Sequence, residues 1–463
     1  MTITSPAPVP AKPGPAARRP AFPGPAPRAI PGLLGKLWRD RLSLLADAAD
    51  EFGDVVRFAM GPKTIYFFNH PDHARHVLAD NAANYHKGMG LAEARRVLGD
   101  GLLTSEGEVW RRQRRTVASA FRRERITRYA GVITAAAEAF ADRLESHVGG
   151  DPVDLSSEMT RLTLSVLGQT LLDTDLAPLR MLGPAFEITQ DQAMFEMVTL
   201  GALPLWLPLP RNHRFRVARR QLQDAVLGLV AARERDGTPG RSDVISLLLG
   251  AYRDEPDPRL RNRKLRDELV TILLAGHETT ASTLSWTWYL ISRHPEAAEI
   301  MHAEAAAAFD DQSPGRADLD RLPYTTTVIQ EAMRLYPPVW GLPRKALQAD
   351  EIGGYRVPAG ADVMICPYTL HRHQGFWTEP DQFRPERFAP GAVEPGHRYA
   401  YIPFGAGPRI CVGSHLGMLE ATLVAATVAR RFRFELADGA DPRPEAMLSL
   451  RLRGGLPVKV RHA

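Results

Sequence analysis

Cysteine is scarce: the 463 residues contain two, Cys366 and Cys411. No disulfide framework can support the fold, a reducing, cytoplasmic compartment is the simple expectation, and each thiol is free for other chemistry. Long apolar runs are missing as well. No stretch of about 18 uncharged apolar residues occurs, and the N-terminus lacks the charged, apolar, small-residue order of a signal peptide, so neither a membrane span nor secretion is expected. Charge of one sign is not in large excess. The 58 basic and 53 acidic side chains leave a net charge of +5, too mixed to indicate a nucleic-acid partner. No internal repeat is found, nor a G-x-G-x-x-G nucleotide loop between strand and helix. What is present is a chain that is 44% hydrophobic and long enough to bury a large core.

Residues 1–32 alternate Pro, Ala and Gly, a composition that cannot form a helix, and are expected to be a disordered or polyproline-like leader. Order is expected from residue 33. The segments DVVRFAM and TIYFFN flank Gly61-Pro62 and predict a hairpin. Helical periodicity follows over 108–122, 126–147, 155–172, 212–234, 265–293, 296–308 and 323–336. Strand signals return near 345–365 and in about the last thirty residues. Residues 33–463 therefore read as one large, mainly α domain with small β-sheets.

The segment YIPFGAGPRICVG, residues 401–413, is a turn rich in Gly and Pro that runs into the amphipathic stretch SHLGMLEATLVAATVARRF. It places a thiol in a nest of backbone amides just before a helix N-terminus. Amide donors and the helix dipole favour a thiolate there, and a metal would favour it more strongly. A lone cysteine is otherwise a buried structural residue, which is how Cys366 in VMICPY is read. For Cys411 the surroundings decide. Phe404, Gly407, Arg409, Cys411 and Gly413 match F-x-x-G-x-R-x-C-x-G, and through this loop the chain resembles the cytochromes P450. The resemblance implies haem b with Cys411 as the proximal iron ligand. It also implies that Phe404 packs against the loop, that the glycines let backbone approach the porphyrin, and that Arg409 reaches a propionate.

Other segments extend the likeness in the family's order. PYTTTVIQEAMRLYPP sets Glu331 and Arg334 on one helix face, ordinarily a surface ion pair, and PERF supplies Arg387. Together they resemble the triad that fixes the core beneath the cysteine loop, a structural rather than catalytic set. In LLAGHETTAST, His277-Glu278 suggests the zinc motif H-E-x-x-H, but position 281 is alanine and the second imidazole is missing. The string resembles A-G-x-[DE]-T-T instead. That implies Ala275 and Gly276 as an oxygen-binding groove, Glu278 as the proton-relay acid and Thr279 as its hydroxyl partner, on a helix from about 266 to 293. WRRQRR has the look of an acidic-partner patch, yet Trp110 and Arg114, one turn apart, resemble the W-x-x-x-R that bonds the propionates. Arg344 and Lys87 are candidates for the same task. Arg111, Arg112, Arg115, Arg122 and Arg123 then remain outward, as a basic proximal face on which an acidic ferredoxin, or a flavodoxin, would dock.

Residues 412–463 leave no room for a fused reductase, so electrons are expected from NAD(P)H through an external ferredoxin and its reductase, with O2 as co-substrate. A monomer is expected. By analogy the substrate pocket is lined by Met89, Leu103, Met194, Phe195, Met197, Leu274, Val339, Leu342 and Leu448, an apolar set that favours an isoprenoid, steroid or fatty-acyl substrate. Some of these side chains could be plain core. GALPLWLPLPRNHRF would roof the channel. Gly417 departs from the family's commoner alanine. Two other classes remain open: a peroxide-driven haem enzyme, which needs no donor and typically lacks the acid-alcohol pair, and a non-catalytic haem sensor or carrier.

Overall fold

Helices form where apolar residues recur at 3.6-residue spacing, and prolines mark where several of them start. The computed structural model describes residues 21–26, 30–60, 63–179, 181–199, 201–237, 240–309 and 316–463. Two helices, α1 (Ile30–Arg39) and α2 (Arg41–Phe52), lead into the hairpin of β1 (Val55–Met60) and β2 (Lys63–Phe68). A short α3 (Pro71–Arg75), β3 (Tyr85–Lys87) and α4 (Leu91–Leu98) follow. The helical body begins with α5 (Gly107–Ala118), α6 (Arg123–Glu145), β4 (Val153–Asp154), α7 (Leu155–Leu171) and α8 (Leu182–Thr199). It continues through α9 (Pro210–Asp236), α10 (Val244–Ala251), α11 (Pro258–Ser292), α12 (Pro295–Ala308) and α13 (Pro323–Leu335). Strands β5 (Leu342–Ala346), β6 (Asp350–Ile352), β7 (Tyr355–Val357) and β8 (Asp362–Ile365) precede the single turn α14 (Pro367–Leu370). Last come α15 (Ser414–Ala429), β9 (Phe432–Leu436), β10 (Arg443–Ala446), β11 (Leu450–Arg453) and β12 (Pro457–His462).

The largest sheet has the order β1-β2-β8-β5-β3, parallel only between β2 and β8. Its β3–β5 edge pairs Lys87 with Arg344 in register, which sets two cations side by side. A three-stranded sheet, β4-β12-β9, and the hairpins β6-β7 and β10-β11 complete the described β structure.

The centre is α11, buried on nearly every side from Leu265 to Ile291 and packed against α7, α13 and α15. A helix apolar all round belongs in a core, and the hydroxyls of this one are silenced locally. Thr279, Thr283 and Thr287 donate to the carbonyls of Ala275, Thr279 and Thr283 at 2.9, 2.9 and 2.8 Å. Trp286 stacks on Tyr336 with ring centres 3.7 Å apart. The helix starts at Pro258, ahead of the expected 266, because Asp257 caps it by accepting from the Arg259 amide. Its first turns are charged and largely exposed, so they carry no apolar period.

The expected leader boundary at residue 32 is too late. Phe22 packs 4.7 Å from Tyr66 and 4.9 Å from Tyr355, and the Pro23 carbonyl accepts from the Arg57 amide at 2.8 Å. A proline-rich segment cannot make a helix, but an extended one can still dock an aromatic ring and a carbonyl on a sheet edge. Residues 1–20 and the Gly61-Pro62 turn lie outside the described residues.

Candidate active site

The loop before α15 is shaped by two left-handed glycines, Gly405 (φ 71°) and Gly407 (φ 67°). The Cys411 amide donates to the Phe404 carbonyl at 3.0 Å, closing the loop behind the thiol. Gly407 does not border the cavity, contrary to the expectation that it admits a porphyrin. A Cβ there would stand 1.9 Å from the Leu78 carbonyl, so its task is close packing against backbone on the far side. Gly413 does border the cavity, and a Cβ on it would meet the Phe121 ring at 3.3 Å.

Cys411 and Cys366 differ in what surrounds them. Cys366 is buried, and its Sγ donates to the Trp340 carbonyl at 3.0 Å. Cys411 is accessible, and the access is from a cavity of about 570 Å³. Burial pushes the Cys411 thiol up from its ordinary value, while the Gly413 amide and Arg114 pull it down. The Gly413 amide thus acts in the expected direction, toward the thiolate, but does not decide the net shift. Desolvation outweighs a single amide donor, and a bound metal cation would have to supply the rest.

The same cavity is bordered by α11 through Leu274, Ala275, Gly276, Glu278 and Thr279. Gly276 also allows α7 to approach, since a Cβ there would lie 2.0 Å from the Leu167 methyl. Glu278 accepts a hydrogen bond from the Ser449 hydroxyl at 2.7 Å, and Thr279 donates to Ala275. His277 turns away: it is buried, bonded to the Leu273 carbonyl and 5.1 Å from the Phe186 ring.

One edge of the cavity is strongly cationic. Lys87, Arg114, Arg344 and Arg409 border it together with Trp110, whose ring lies 4.6 Å from the Arg409 guanidinium and 5.8 Å from that of Arg114. Glu106 pairs with Arg409 and accepts from the Lys87 amide. Lys87 Nζ donates to the Leu102 and Ser105 carbonyls, both at 2.8 Å, and burial with the nearby Arg409 drops its pKa to about 7. Arg344, also buried, falls to about 10 for the same two reasons. Arg409 Nη1 is buried without a partner among the described residues. Cations that lower one another and leave a donor orphaned fit a bound group carrying carboxylates, as haem propionates would.

Beneath the cysteine loop, Glu331 and Arg334 form a two-pronged pair at 2.6 and 2.8 Å, both fully buried. Arg387 stands 3.4 Å from the same carboxylate. Of the residues expected in the substrate pocket, Met89, Leu103, Met194, Met197, Leu274, Val339, Leu342 and Leu448 border the cavity. Phe195 does not. Its ring sits 6.2 Å from Trp38 and 4.4 Å from the Arg211 guanidinium, because the face of α8 toward the cavity runs through Gln190, Met194, Met197 and Val198 at helical spacing. Arg111, Arg112, Arg115, Arg122 and Arg123 are all exposed; Arg111 also pairs with the exposed Glu108, and Arg112 donates to the Ala251 carbonyl. Sequence reasoning misses Glu106 and Gln190, and it takes Ser449 only as part of a pocket-lining stretch, 448–450, without a role of its own. Glu106 sits one turn before Trp110, a spacing that could have drawn notice, but nothing local marks the other two.

A single cavity lined by an accessible thiol, an acid-alcohol pair and a cluster of cations fits a haem-thiolate oxygenase. The family model described as cytochrome P450 matches residues 20–460. Cyclooctatin synthase from Streptomyces melanosporofaciens is 37% identical over 436 residues, covering 94% of each chain. Cyclooctat-9-en-7-ol 5-monooxygenase from the same organism is 35% identical over 93% of each chain. Pentalenene oxygenase from Streptomyces avermitilis is 33% identical over 92% of this chain and 94% of its own. The chain belongs to the cytochrome P450 family. It is a monooxygenase that uses haem and O2, takes electrons from a redox partner and acts on a hydrophobic substrate. Among the described residues no helix is long and apolar enough to cross a membrane.

Proposed function

We propose that the chain holds haem b through the Cys411 thiolate and hydroxylates a neutral terpenoid-like hydrocarbon or alcohol, fed by a ferredoxin or flavodoxin in the cytoplasm. The observation that carries this reading is the cavity itself, which brings Cys411, Glu278, Thr279 and the cationic edge to one space. Non-covalent haem is favoured because neither cysteine stands in a C-x-x-C-H attachment motif. When bound, the haem supplies reductive activation of O2 and transfer of one oxygen atom to a C–H bond, the other leaving as water. The residues do the rest. Arg114, Arg344, Arg409 and Lys87 pair with the propionates, and Trp110 keeps the guanidiniums oriented. Glu278 and the Thr279 hydroxyl, both on the cavity lining, would pass protons into the cavity without opening it to bulk water. Met194, Met197, Leu274 and Leu448 orient an apolar guest by shape.

The relatives named for pentalenene and for cyclooctat-9-en-7-ol favour an alkene or alkenol over a fatty-acid carboxylate. Exposed Arg115, Arg122 and Arg123 support an acidic donor. The intact Glu278-Thr279 pair weighs against a peroxide-driven enzyme or a haem carrier.

The test is the carbon monoxide difference spectrum of the reduced protein and of Cys411→Ser. A strongly red-shifted Soret band that the variant lacks is expected; a band typical of histidine-ligated haem in folded wild type would overturn the reading. Spin-state titration should then show tighter binding of pentalenene or cyclooctat-9-en-7-ol than of palmitate. Thr279→Ala should retain binding while product formed per NAD(P)H falls by roughly 10²-fold, the scale of a lost acid-base contribution, with hydrogen peroxide released instead.

A further inference from the structure

Ser449 is placed by more than its own side chain. It belongs to the turn between β10 and β11, and the next residue is tied to α11: the Leu450 carbonyl accepts from Ser282 Oγ and from Trp286 Nε1, the latter at 3.1 Å. The Leu450 amide donates to the Pro338 carbonyl at 2.8 Å. Ser282 and Trp286 stand one and two turns beyond Glu278 on the same helix face. The turn is thereby held in register with the helix, and the Ser449 hydroxyl, 3% exposed, falls 2.7 Å from Glu278 Oε1. Glu278 Oε2 is left 4.0 Å from His277 Nε2, beyond hydrogen-bond reach. On the outer side, Glu187, Asp191 and Arg451 are close enough to interact electrostatically, with Arg451 3.4 Å from the half-exposed Asp191 carboxylate.

We propose that Ser449 is a positioning residue for proton delivery: its hydroxyl holds one carboxylate oxygen of Glu278 at the β10–β11 turn, leaving the other oriented to exchange protons between solvent and the Thr279 side. Ser449 donates its hydrogen bond without losing its proton. The proton that Glu278 passes inward is replaced from solvent along the edge formed by Glu187, Asp191 and Arg451. The inference rests on Glu278 being the relay acid.

The test uses the full haem-loaded chain and cumene hydroperoxide, which needs no substrate. Acid-assisted heterolysis of its O–O bond gives 2-phenyl-2-propanol, whereas homolysis gives acetophenone. Ser449→Ala should lower the alcohol-to-ketone ratio several-fold, Ser449→Thr should restore it, and Glu278→Ala should lower it at least as far. Because the Leu450 carbonyl anchors the turn, Ser449→Ala should fold. A second readout, independent of turnover, is a urea-unfolding cycle of Ser449→Ala, Glu278→Ala and the double variant. The single effects should fail to multiply by about fivefold, as expected for residues in contact. Multiplicative effects, or a Ser449→Ala ratio equal to wild type while Glu278→Ala lowers it, overturn the positioning role alone. A ratio unchanged in Glu278→Ala as well removes the acid role, and the proposal falls with it.

Discussion

Arg334 and Gln190 are both fully buried polar side chains near the same cavity, yet the fold treats them in opposite ways. Every nitrogen of Arg334 is engaged. Nε and Nη2 bond Glu331, Nη1 reaches the His371 and Pro380 carbonyls at 2.9 and 2.6 Å, and Nη2 also reaches Gln382 O at 2.9 Å. The guanidinium also lies 5.0 Å from the Trp377 ring centre. Gln190, on α8, is 1% exposed, and among the described residues neither its amide oxygen nor its nitrogen has a partner. The neighbourhood of Arg334 is not perfect, since Trp377 Nε1 and His371 Nδ1 lack partners there too. Even so, the network around Arg334 uses its polarity to fix geometry, whereas the Gln190 amide on α8 is left unpaired.

The sharpest way to break this comparison is Arg334→Ala. It leaves the buried Glu331 carboxylate with only the Arg384 amide, at 2.8 Å, and Arg387, at 3.4 Å. Removing one partner of a buried pair costs about 3–5 kcal/mol, and urea unfolding should show a loss of that size with reduced haem content. A loss below about 1 kcal/mol would mean that the network is ornamental. Gly407→Ala comes next. Its φ of 67° and a Cβ only 1.9 Å from the Leu78 carbonyl force backbone to move, for a cost on the order of 1–3 kcal/mol. Gly417→Ala is its control. Gly417 lies inside α15, where an added methyl group would meet nothing within 4 Å, so alanine should stabilise by about 0.5–1 kcal/mol.

Much of this architecture can be read from residue order, and the failures have physical causes. The long helices from α5 to α7, α9 and α11 to α13 are marked by period, proline and motif, and Cys411, Glu331 and Thr279 by their neighbours. α8 is not marked, because its one-residue offsets decide everything: Met194 faces the cavity and Phe195, about 100° round the helix, faces Trp38. Only the packed structure fixes that rotation. Ser449 sits between two leucines in a turn whose register is set by Ser282 and Trp286, more than 160 residues earlier in the chain. No local spacing encodes a contact of that kind. The early residues fail differently, since composition excludes a helix for Phe22 but says nothing about docking on a sheet.

The smallest expected effect tests the comparison from the other side. Gln190 shares its helix face with Met194 and Met197 and borders a cavity otherwise rich in leucine and methionine. An amide buried without partners costs about 1–3 kcal/mol, whereas an apolar side chain of similar volume incurs no such penalty. Gln190→Leu should therefore raise the stability of the ligand-free protein by about 1 kcal/mol, read as a higher urea midpoint at unchanged slope. If the variant is instead destabilised, an ordered water or a neighbour already satisfies the amide in solution. In that case Gln190 and Arg334 obey the same rule, and the contrast between them disappears.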